Sequence, residues 1–276
     1  MVRQMLEAFS MIQTSPTVSM SARDIRKTFH RSNGWFAPPT ETRALQGVSF
    51  DVQPGEIFGI VGESGCGKST LARVLVGLEE PDAGSLSLAG RDLFGPGVSG
   101  VPPVRRGIQM VFQDPYASLN PRMRIGEAIA EGLAIAGTAK SERDDRVAET
   151  LSLVGLSPDA SQKHPFQFSG GQRQRICIAR ALVMEPSFLV ADEAVSALDI
   201  SVQMQILNML LDLRDRIGLS IIFITHDISV VEYLCDTVMV MYRGQAVERG
   251  RTQDVLDNPQ DSYTRSLISS VPRLHH

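Results

Sequence analysis

The stretch that decides the fold reads Gly62-Glu63-Ser64-Gly65-Cys66-Gly67-Lys68-Ser69-Thr70. It satisfies the spacing G-x-x-x-x-G-K-[ST], and it lies between an apolar run of strand length, 56–61, and a run with helical periodicity from Ser69 to about Leu78. A glycine-rich turn that merely joins a strand to a helix is the alternative, but such a turn needs neither the lysine nor the hydroxyl. The stretch therefore predicts a phosphate-binding loop.

The residue types in this loop match what a bound triphosphate requires. Glycines let the backbone curl so that successive N–H groups converge on the β-phosphate, and the helix N-terminus adds a partial positive charge. Lys68 supplies a cation between the β- and γ-phosphates, Ser69 offers its hydroxyl to Mg²⁺, and Thr70 begins the helix beside the α-phosphate. All nine residues are predicted to bind the nucleotide, with Cys66 as a loop residue rather than a reactive thiol.

Composition places the chain among ordinary globular proteins. Its 276 residues suit one large α/β domain, or one domain with a smaller insertion, and 43% hydrophobic with 21% charged residues indicates neither disorder nor a fibrous repeat. A formal net charge of −4 removes the general electrostatic argument for a nucleic-acid partner, so we expect none. The three cysteines show no C-x-x-C spacing, which favours a reducing cytoplasm.

The sequence also bears on the membrane. No apolar run approaches the roughly 18 residues that a spanning helix requires. The segment to about Met20 lacks the positive start, apolar middle and cleavage site of a secretory signal. We therefore expect a chain that does not cross a membrane, with a loose or partly helical extension over 1–17.

Strand and helix patterns alternate along most of the chain. From Val18 to about Val61, short β-type stretches and turn residues predict an antiparallel start, interrupted by a surface loop over 32–42. Helical periodicity over 125–155 predicts a helical insertion. The later patterns predict, in order, a helix over 170–183, a strand over 188–191, a helix over 202–217 and a strand over 220–224. The fold class is therefore α/β, with a mostly parallel core sheet, an antiparallel β subdomain and a helical subdomain over about 116–168.

Polar side chains follow three of the apolar runs directly: Asp192 with Glu193, Gln113, and His226. The carboxyl ends of parallel strands border the ligand crevice of such a sheet, so we expect these residues there. Asp192 would orient the hydrated Mg²⁺, and Glu193 would point toward the water that attacks the γ-phosphoryl group. Strands often end in polar residues, and a lone histidine is most often an ordinary surface or core residue. These signals gain weight only beside a phosphate loop.

A second glycine-containing stretch reads Phe168-Ser169-Gly170-Gly171-Gln172-Arg173-Gln174-Arg175. Ser169 suits the N-cap of a following helix, and the two glycines allow close approach of the backbone to an anion, although a plain glycine-containing helix start is the alternative. The stretch resembles the signature sequence of ABC ATPases, which usually begins with leucine. The motif order of that family is also matched, by the phosphate loop, Gln113, Ser169–Gln172, Asp192-Glu193, Ser196-Ala197-Leu198-Asp199 and His226.

The resemblance implies a P-loop NTPase of the RecA-like class that hydrolyses ATP with Mg²⁺. By it, two such domains pack head to tail, and the Ser169–Gln172 element of one closes over the γ-phosphate held by the other. Physical chemistry agrees, because one phosphate loop contacts one side of ATP and leaves the γ-phosphoryl group open to water.

Residue roles follow from the same resemblance. Glu193 is implied as the general base, with His226 at the γ-phosphate and Lys68 as a further catalytic group. Gln113 is implied to ligate Mg²⁺, as Ser69 and Asp192 do, and to sense a membrane partner.

Two further roles are implied. Asp199 would communicate across the dimer. An aromatic residue of the first strands stacks on adenine in this family; Phe29 sits at the matching place, and Trp35 and Phe36 are rivals that composition cannot separate from it.

Three stretches are similar to the dipeptide and oligopeptide importer branch of the family: Gly62–Gly67, Gln113–Arg122 and the tail Asn258–Leu267. In the tail, Asp261-Ser262 stands where His-Pro commonly precedes the tyrosine. The branch also serves nickel and glutathione importers. It implies two transmembrane permease subunits, a second identical or related ATP-binding subunit, an extracytoplasmic solute-binding protein acting indirectly, and a peripheral place on the cytoplasmic face of the inner membrane.

The sequence departs from the family at Ala194-Val195, where proline and threonine are usual, so we expect altered rate or dimer coupling before loss of hydrolysis. We assign 18–255 to the ATPase domain and 256–276 to an importer-type tail. A soluble ABC ATPase of DNA repair or translation is the first alternative, but such relatives commonly carry two nucleotide domains or a long coiled-coil insertion. A regulatory nucleotide-binding module is the second, and it would be expected to lack a carboxylate like Glu193.

Overall fold

The structure is a computed structural model, and it describes residues 18–31, 40–95 and 107–270. The predicted N-terminal extension lies outside the described residues, as do most of the predicted loop over 32–42 and both rival aromatic residues, Trp35 and Phe36. The end of the predicted tail, 271–276, lies outside them too.

The described strands form two sheets. They are β1 (Met20–Arg31), β2 (Thr40–Val52), β3 (Ile57–Val61), β4 (Ala83–Leu88), β5 (Arg91–Phe94), β6 (Ile108–Val111), β7 (Phe188–Asp192), β8 (Ser220–Thr225), β9 (Thr237–Tyr242) and β10 (Gln245–Arg251). The first sheet has the order β2-β1-β4-β5 and is antiparallel throughout. The predicted antiparallel start is confirmed.

The second sheet has the order β10-β9-β3-β8-β7-β6 and is parallel except for the pair of β9 with β10. Every residue of β3, β7 and β8 is buried, as expected for parallel strands covered on both faces. The carboxyl ends of β3, β6, β7 and β8 therefore lie along one edge of the sheet, beside the predicted phosphate loop.

The described α-helices are α1 (Lys68–Val76), α2 (Pro115–Ser118), α3 (Ile125–Ile135), α4 (Lys140–Leu153), α5 (Gly170–Leu182), α6 (Ile200–Ile217), α7 (Ile228–Leu234), α8 (Thr252–Asp257) and α9 (Ser262–Ser269). Short 3-10 helices cover Pro158–Gln162 and Pro165–Gln167. Helices thus fill the region between β6 and β7 where the sequence predicts a helical insertion. Within the described ranges, no helix is both long enough and apolar enough to span a bilayer.

The two faces of the central sheet belong to different cores, because successive side chains of a strand point to opposite faces. In β8, Ile221 and Phe223 pack in the core that includes the helices following β6, whereas Ile222 and Ile224 pack in the core that includes α1 and the antiparallel sheet. Stacked rings of Phe50 and Phe58, 5.2 Å apart, join the antiparallel sheet to β3. The strand that leads into the loop before α1 is therefore packed on both of its faces.

Candidate functional site

The loop between β3 and α1 can be built only with glycine at two of its positions. Gly67 precedes α1 with φ 110°, and a Cβ there would lie 2.4 Å from the carbonyl oxygen of Ala44. A Cβ on Gly62 would lie 2.2 Å from the carbonyl oxygen of Met241. The glycines therefore let the backbone of the loop press against the strands that carry Ala44 and Met241.

Lys68 folds back over this loop. Its side chain is buried, and its ammonium donates hydrogen bonds to the carbonyl oxygens of Gly62 at 2.6 Å and Glu63 at 2.9 Å. These two bonds fix the charge at the mouth of the loop, next to the free N–H groups of the first turn of α1. A cation and a helix N-terminus at one place form an anion site.

The loop opens into a cleft of about 860 Å³. Its lining residues are Phe29, Glu41, Thr42, Arg43, Ala44, Gln46, Ser64, Gly65, Gly67, Lys68, Ser69, Thr70, Glu193, Arg243 and Gly244. The predicted loop residues Ser64, Gly65 and Lys68 to Thr70 are among them. Phe29, the predicted adenine partner, lines the cleft with 39% of its surface exposed, and the ammonium of Lys27 lies 5.3 Å from its ring centre.

Sequence reasoning missed one wall of the cleft. No local motif marks the residues that form it, which are Glu41, Thr42, Arg43, Ala44 and Gln46 of β2 and Arg243 and Gly244 of the β9–β10 turn. The two segments are tied together, because the Gln46 side-chain amide donates to the carbonyl oxygen of Arg243 at 2.6 Å and the Gln46 N–H donates to the carbonyl oxygen of Gly244 at 2.8 Å. A strand and a turn almost 200 residues apart meet only in the folded sheet.

Asp192 ends β7 beside α1. The Ser69 hydroxyl donates to Asp192 Oδ1 at 3.2 Å, so two of the three predicted Mg²⁺ ligands are brought together. Burial raises the pKa of the Asp192 carboxyl, against the opposing effect of the Ser69 hydrogen bond. A hydroxyl and one carboxylate suit Mg²⁺, which is usually held by one or two carboxylates and otherwise by phosphate oxygens and water.

Glu193 is the point where three strand ends meet. Gln113, which follows β6, donates its side-chain amide to Glu193 Oε2 at 2.9 Å, and His226 Nδ1, after β8, lies 3.3 Å from Glu193 Oε1. Glu193 itself has φ 49°, the left-handed region that a residue with a Cβ rarely adopts. The predicted gathering of polar strand ends is present, and its centre is a carboxylate that borders the cleft.

The Ser169–Gln172 stretch begins α5. The Ser169 hydroxyl accepts from the Gln172 N–H at 3.3 Å, and the Gln172 side chain accepts from the Ser169 N–H at 3.0 Å, which forms a capping box. Gly171 lies close to α6, since a Cβ there would lie 2.3 Å from Val202 Cγ1. Asp199 is exposed at the start of α6.

None of Ser169, Gly170, Gly171, Gln172 and Asp199 is among the described residues that line the cleft. Gly62, Glu63 and Cys66 belong to the loop without lining the cleft. The structure thus brings together the residues predicted around Glu193, Asp192 and Lys68, and it does not bring the Ser169–Gln172 stretch to them within one chain.

Fold and site together define a P-loop nucleotide-binding cassette. The model of the ABC transporter family matches residues 45–196, from β2 through the carboxylate edge. The chain belongs to the ABC transporter family, and both the predicted family and the predicted fold class are confirmed.

Two relatives show the similarity of this chain to the dipeptide importer branch of the family. The Di/tripeptide transport ATP-binding protein DppF of Pseudomonas aeruginosa (strain UCBPP-PA14) is 46% identical over 257 residues, which cover 93% of this chain and 80% of the relative. The Dipeptide transport ATP-binding protein DppF of Escherichia coli (strain K12) is 45% identical over 257 residues, 93% of this chain and 77% of the relative. The predicted resemblance to the dipeptide importer branch is confirmed.

Solved structures of ABC cassettes are similar to this chain in fold. CbiO1 from Clostridium perfringens, part of the ABC transporter complex cbiONQ, has a TM-score of 0.74 at 27% identity and covers 92% of this chain and 96% of its own. The cassette MJ0796, solved as a dimer in a post-hydrolysis state with ADP and Pi, has a TM-score of 0.72 at 26% identity and covers 84% and 98%.

Proposed function

We propose that this chain hydrolyses ATP and thereby powers the import of dipeptides or oligopeptides through separate membrane-embedded subunits. The observation that carries the proposal is the position of Glu193, a carboxylate that borders the cleft of the phosphate loop and is held by Gln113 and His226. A phosphate loop alone supports binding. A carboxylate held beside it supports hydrolysis as well.

The residues divide the chemistry between them. The loop N–H groups and Lys68 hold the phosphates, and Ser69, Asp192 and Gln113 would hold Mg²⁺, which supplies positive charge to the phosphate oxygens when bound. Glu193 takes a proton from water as the water oxygen bonds to the γ-phosphorus and the bond to the ADP oxygen breaks. His226, beside Glu193, contacts the departing phosphate. Phe29 stacks on the adenine ring.

A second nucleotide domain completes the site. The Ser169–Gln172 stretch presents a capped helix N-terminus away from its own cleft, and the dimeric MJ0796 cassette is similar in fold. We infer that this stretch closes over ATP bound to the partner domain, with Asp199 at the same interface. The other partners are two transmembrane permease subunits and, indirectly, an extracytoplasmic solute-binding protein, which places the chain on the cytoplasmic face of the membrane. In this proposal 18–255 form the ATPase domain, with a helical subdomain over about 116–168, and 256–276 form the importer-type tail.

The solute assignment is supported by the relatives, which are named for di- and tripeptide or dipeptide transport. The similar stretches of the phosphate loop, Gln113–Arg122 and the tail favour the same branch.

The test is purification of the chain with its membrane partners and binding protein in lipid vesicles, followed by ATP hydrolysis with and without dipeptides. We expect hydrolysis that dipeptides stimulate, and loss of nucleotide binding in Lys68→Ala because the loop carbonyls and the phosphates lose their cation. Lys140→Ala, which removes an exposed lysine at the start of α4, is the matched control and should bind normally. Stimulation by nickel or glutathione instead of dipeptides would overturn the assignment of the solute. ATP hydrolysis by Lys68→Ala would overturn the assignment of the nucleotide site.

A further inference from the structure

A tyrosine near the C-terminus reaches the phosphate loop. Tyr263, in α9, accepts a hydrogen bond at its hydroxyl from the backbone N–H of Glu63 at 3.1 Å. The carbonyl oxygen of the same residue, Glu63, accepts from the Lys68 ammonium. One peptide unit on each side of Glu63 is thus held, one by a lysine of the loop and the other by a residue 200 positions later.

The ring of Tyr263 packs against a residue that adjoins a second wall of the cleft. It packs against Tyr242 with ring centres 4.2 Å apart and planes inclined by 31°. Tyr242 ends β9, directly before the turn in which Arg243 and Gly244 line the cleft. Tyr263 therefore contacts the phosphate loop through its hydroxyl and, through its ring, the last residue of β9, which directly precedes the β9–β10 turn.

The helix that carries Tyr263 is itself anchored. The Glu248 carboxylate, on β10, accepts from the N–H groups of Gln260 at 2.8 Å and Asp261 at 3.0 Å. Asp261 then caps α9, since its carboxylate accepts from the N–H groups of Tyr263 and Thr264. Burial raises the pKa of the Tyr263 phenol above its ordinary value, so the group is a neutral hydroxyl at physiological pH as an unperturbed phenol is. The hydroxyl is thus fixed relative to the central sheet.

We propose that α9 is a positioning element of the nucleotide site and that Tyr263 is its positioning residue. The inference rests on the proposed function for the meaning of the site, but the bond it invokes is a property of the loop itself. Tyr263 does not contact the nucleotide. It sets the start of the loop so that the following N–H groups and Lys68 face the phosphates together.

Tyr263→Phe isolates this role, because the ring and its packing on Tyr242 stay and only the hydroxyl is lost. A neutral hydrogen bond of this kind corresponds to about a 2- to 10-fold change in an equilibrium. We expect MgATP affinity to fall by about that factor and KM to rise with it, while kcat stays within about twofold. Tyr233→Phe is the control, since its hydroxyl donates to Asn208 at 2.6 Å and neither residue lines the cleft.

Two measurements on the full chain keep the inference apart from the proposed function. The first is amide hydrogen exchange over 62–67 without nucleotide, which should be faster in Tyr263→Phe than in wild type or Tyr233→Phe. The second is titration with a fluorescent ATP analogue. Unchanged exchange together with unchanged affinity in Tyr263→Phe would overturn the positioning role. If the wild-type chain binds no nucleotide but exchange over 62–67 is faster in Tyr263→Phe, Tyr263 positions the loop and the proposed function is refuted.

Discussion

The phosphate loop and the Ser169–Gln172 stretch both place glycines at the start of a helix, yet the two helices begin differently. At α1, Gly67 is the N-cap and no side chain caps the first turn. At α5, Ser169 and Gln172 cap one another. The first turn of α1 therefore keeps free N–H groups for a ligand, whereas that of α5 is already partly satisfied within its own chain. The N–H groups at the start of α1 can therefore bind a phosphate held by the same chain. The start of α5 is already hydrogen-bonded within its own chain, so it can contact a phosphate that another chain holds.

The two regions also differ in what they contribute to the free energy of folding. Beside the phosphate loop, Asp192 is buried with a raised pKa and Glu193 adopts a left-handed φ. Both features oppose folding of the free chain. The capping box of α5 favours folding. Substitutions in the two regions should therefore differ in sign as well as in size.

The largest effect is expected from Glu193→Gln. The amide keeps the size of the side chain but cannot take a proton from water, so turnover should fall by about 10²–10⁴-fold while nucleotide affinity stays. Single-turnover phosphate release and nucleotide titration measure the two quantities. Glu149→Gln, at an exposed position of α4, is the control. Unchanged hydrolysis in Glu193→Gln would remove that residue from its role.

Ser169→Ala tests whether the second region acts on the partner's nucleotide. We expect turnover about 10-fold lower, unchanged nucleotide affinity of the isolated chain, and a loss of about 1 kcal/mol in the free energy of unfolding because the cap is lost. Denaturant unfolding and steady-state hydrolysis give these values. Ser157→Ala removes another helix cap and should lower stability without the loss of turnover. Weaker binding by isolated Ser169→Ala chains would erase the contrast, since it would place Ser169 in its own chain's site.

Asp192→Asn should have the smallest effect on stability, and of opposite sign. A raised native pKa means that Asp192 favours folding below the unfolded carboxyl pKa and loses that contribution as pH rises through the native value. Near pH 7 the buried Asp192 carboxylate is charged, and burying that charge opposes folding. The amide carries no charge, so the nucleotide-free variant should melt about 1 °C higher near pH 7, with a smaller difference near pH 4. Thermal melts at both pH values measure it. A lower melting temperature at pH 7 would show that the Ser69 hydrogen bond outweighs burial.

Much of the site could be predicted because its signals are local. The loop needs glycines, a lysine and a hydroxyl in sequence, and the strand ends need only an apolar run before Gln113, Asp192 or His226. The wall formed by β2 residues between Glu41 and Gln46, other than Leu45, and by Arg243 could not be predicted, since it depends on the pairing of β3 with β9 and on close packing against Ala44. The contact of Tyr263 with Glu63 could not be predicted either, because it joins residues 200 positions apart.

One departure from the branch has a physical account in the structure. Asp261 stands where histidine is common, and it caps α9 through the N–H groups of Tyr263 and Thr264. Aspartate is among the best N-cap residues, so the tail helix gains a start in place of the usual proline. Ala194 and Val195 are both buried, and their effect on rate stays a prediction.

The bond between Glu63 and Tyr263 has a consequence for biosynthesis. A ribosome adds about 5–20 residues per second, so the 200 residues between the two partners take about 10–40 s to make. During that interval the nascent loop has its lysine but not its tyrosine, and β9 is also missing from the sheet for most of it. Full nucleotide affinity should therefore arise only after β9 and Tyr263 have been made, well after the phosphate loop itself has emerged.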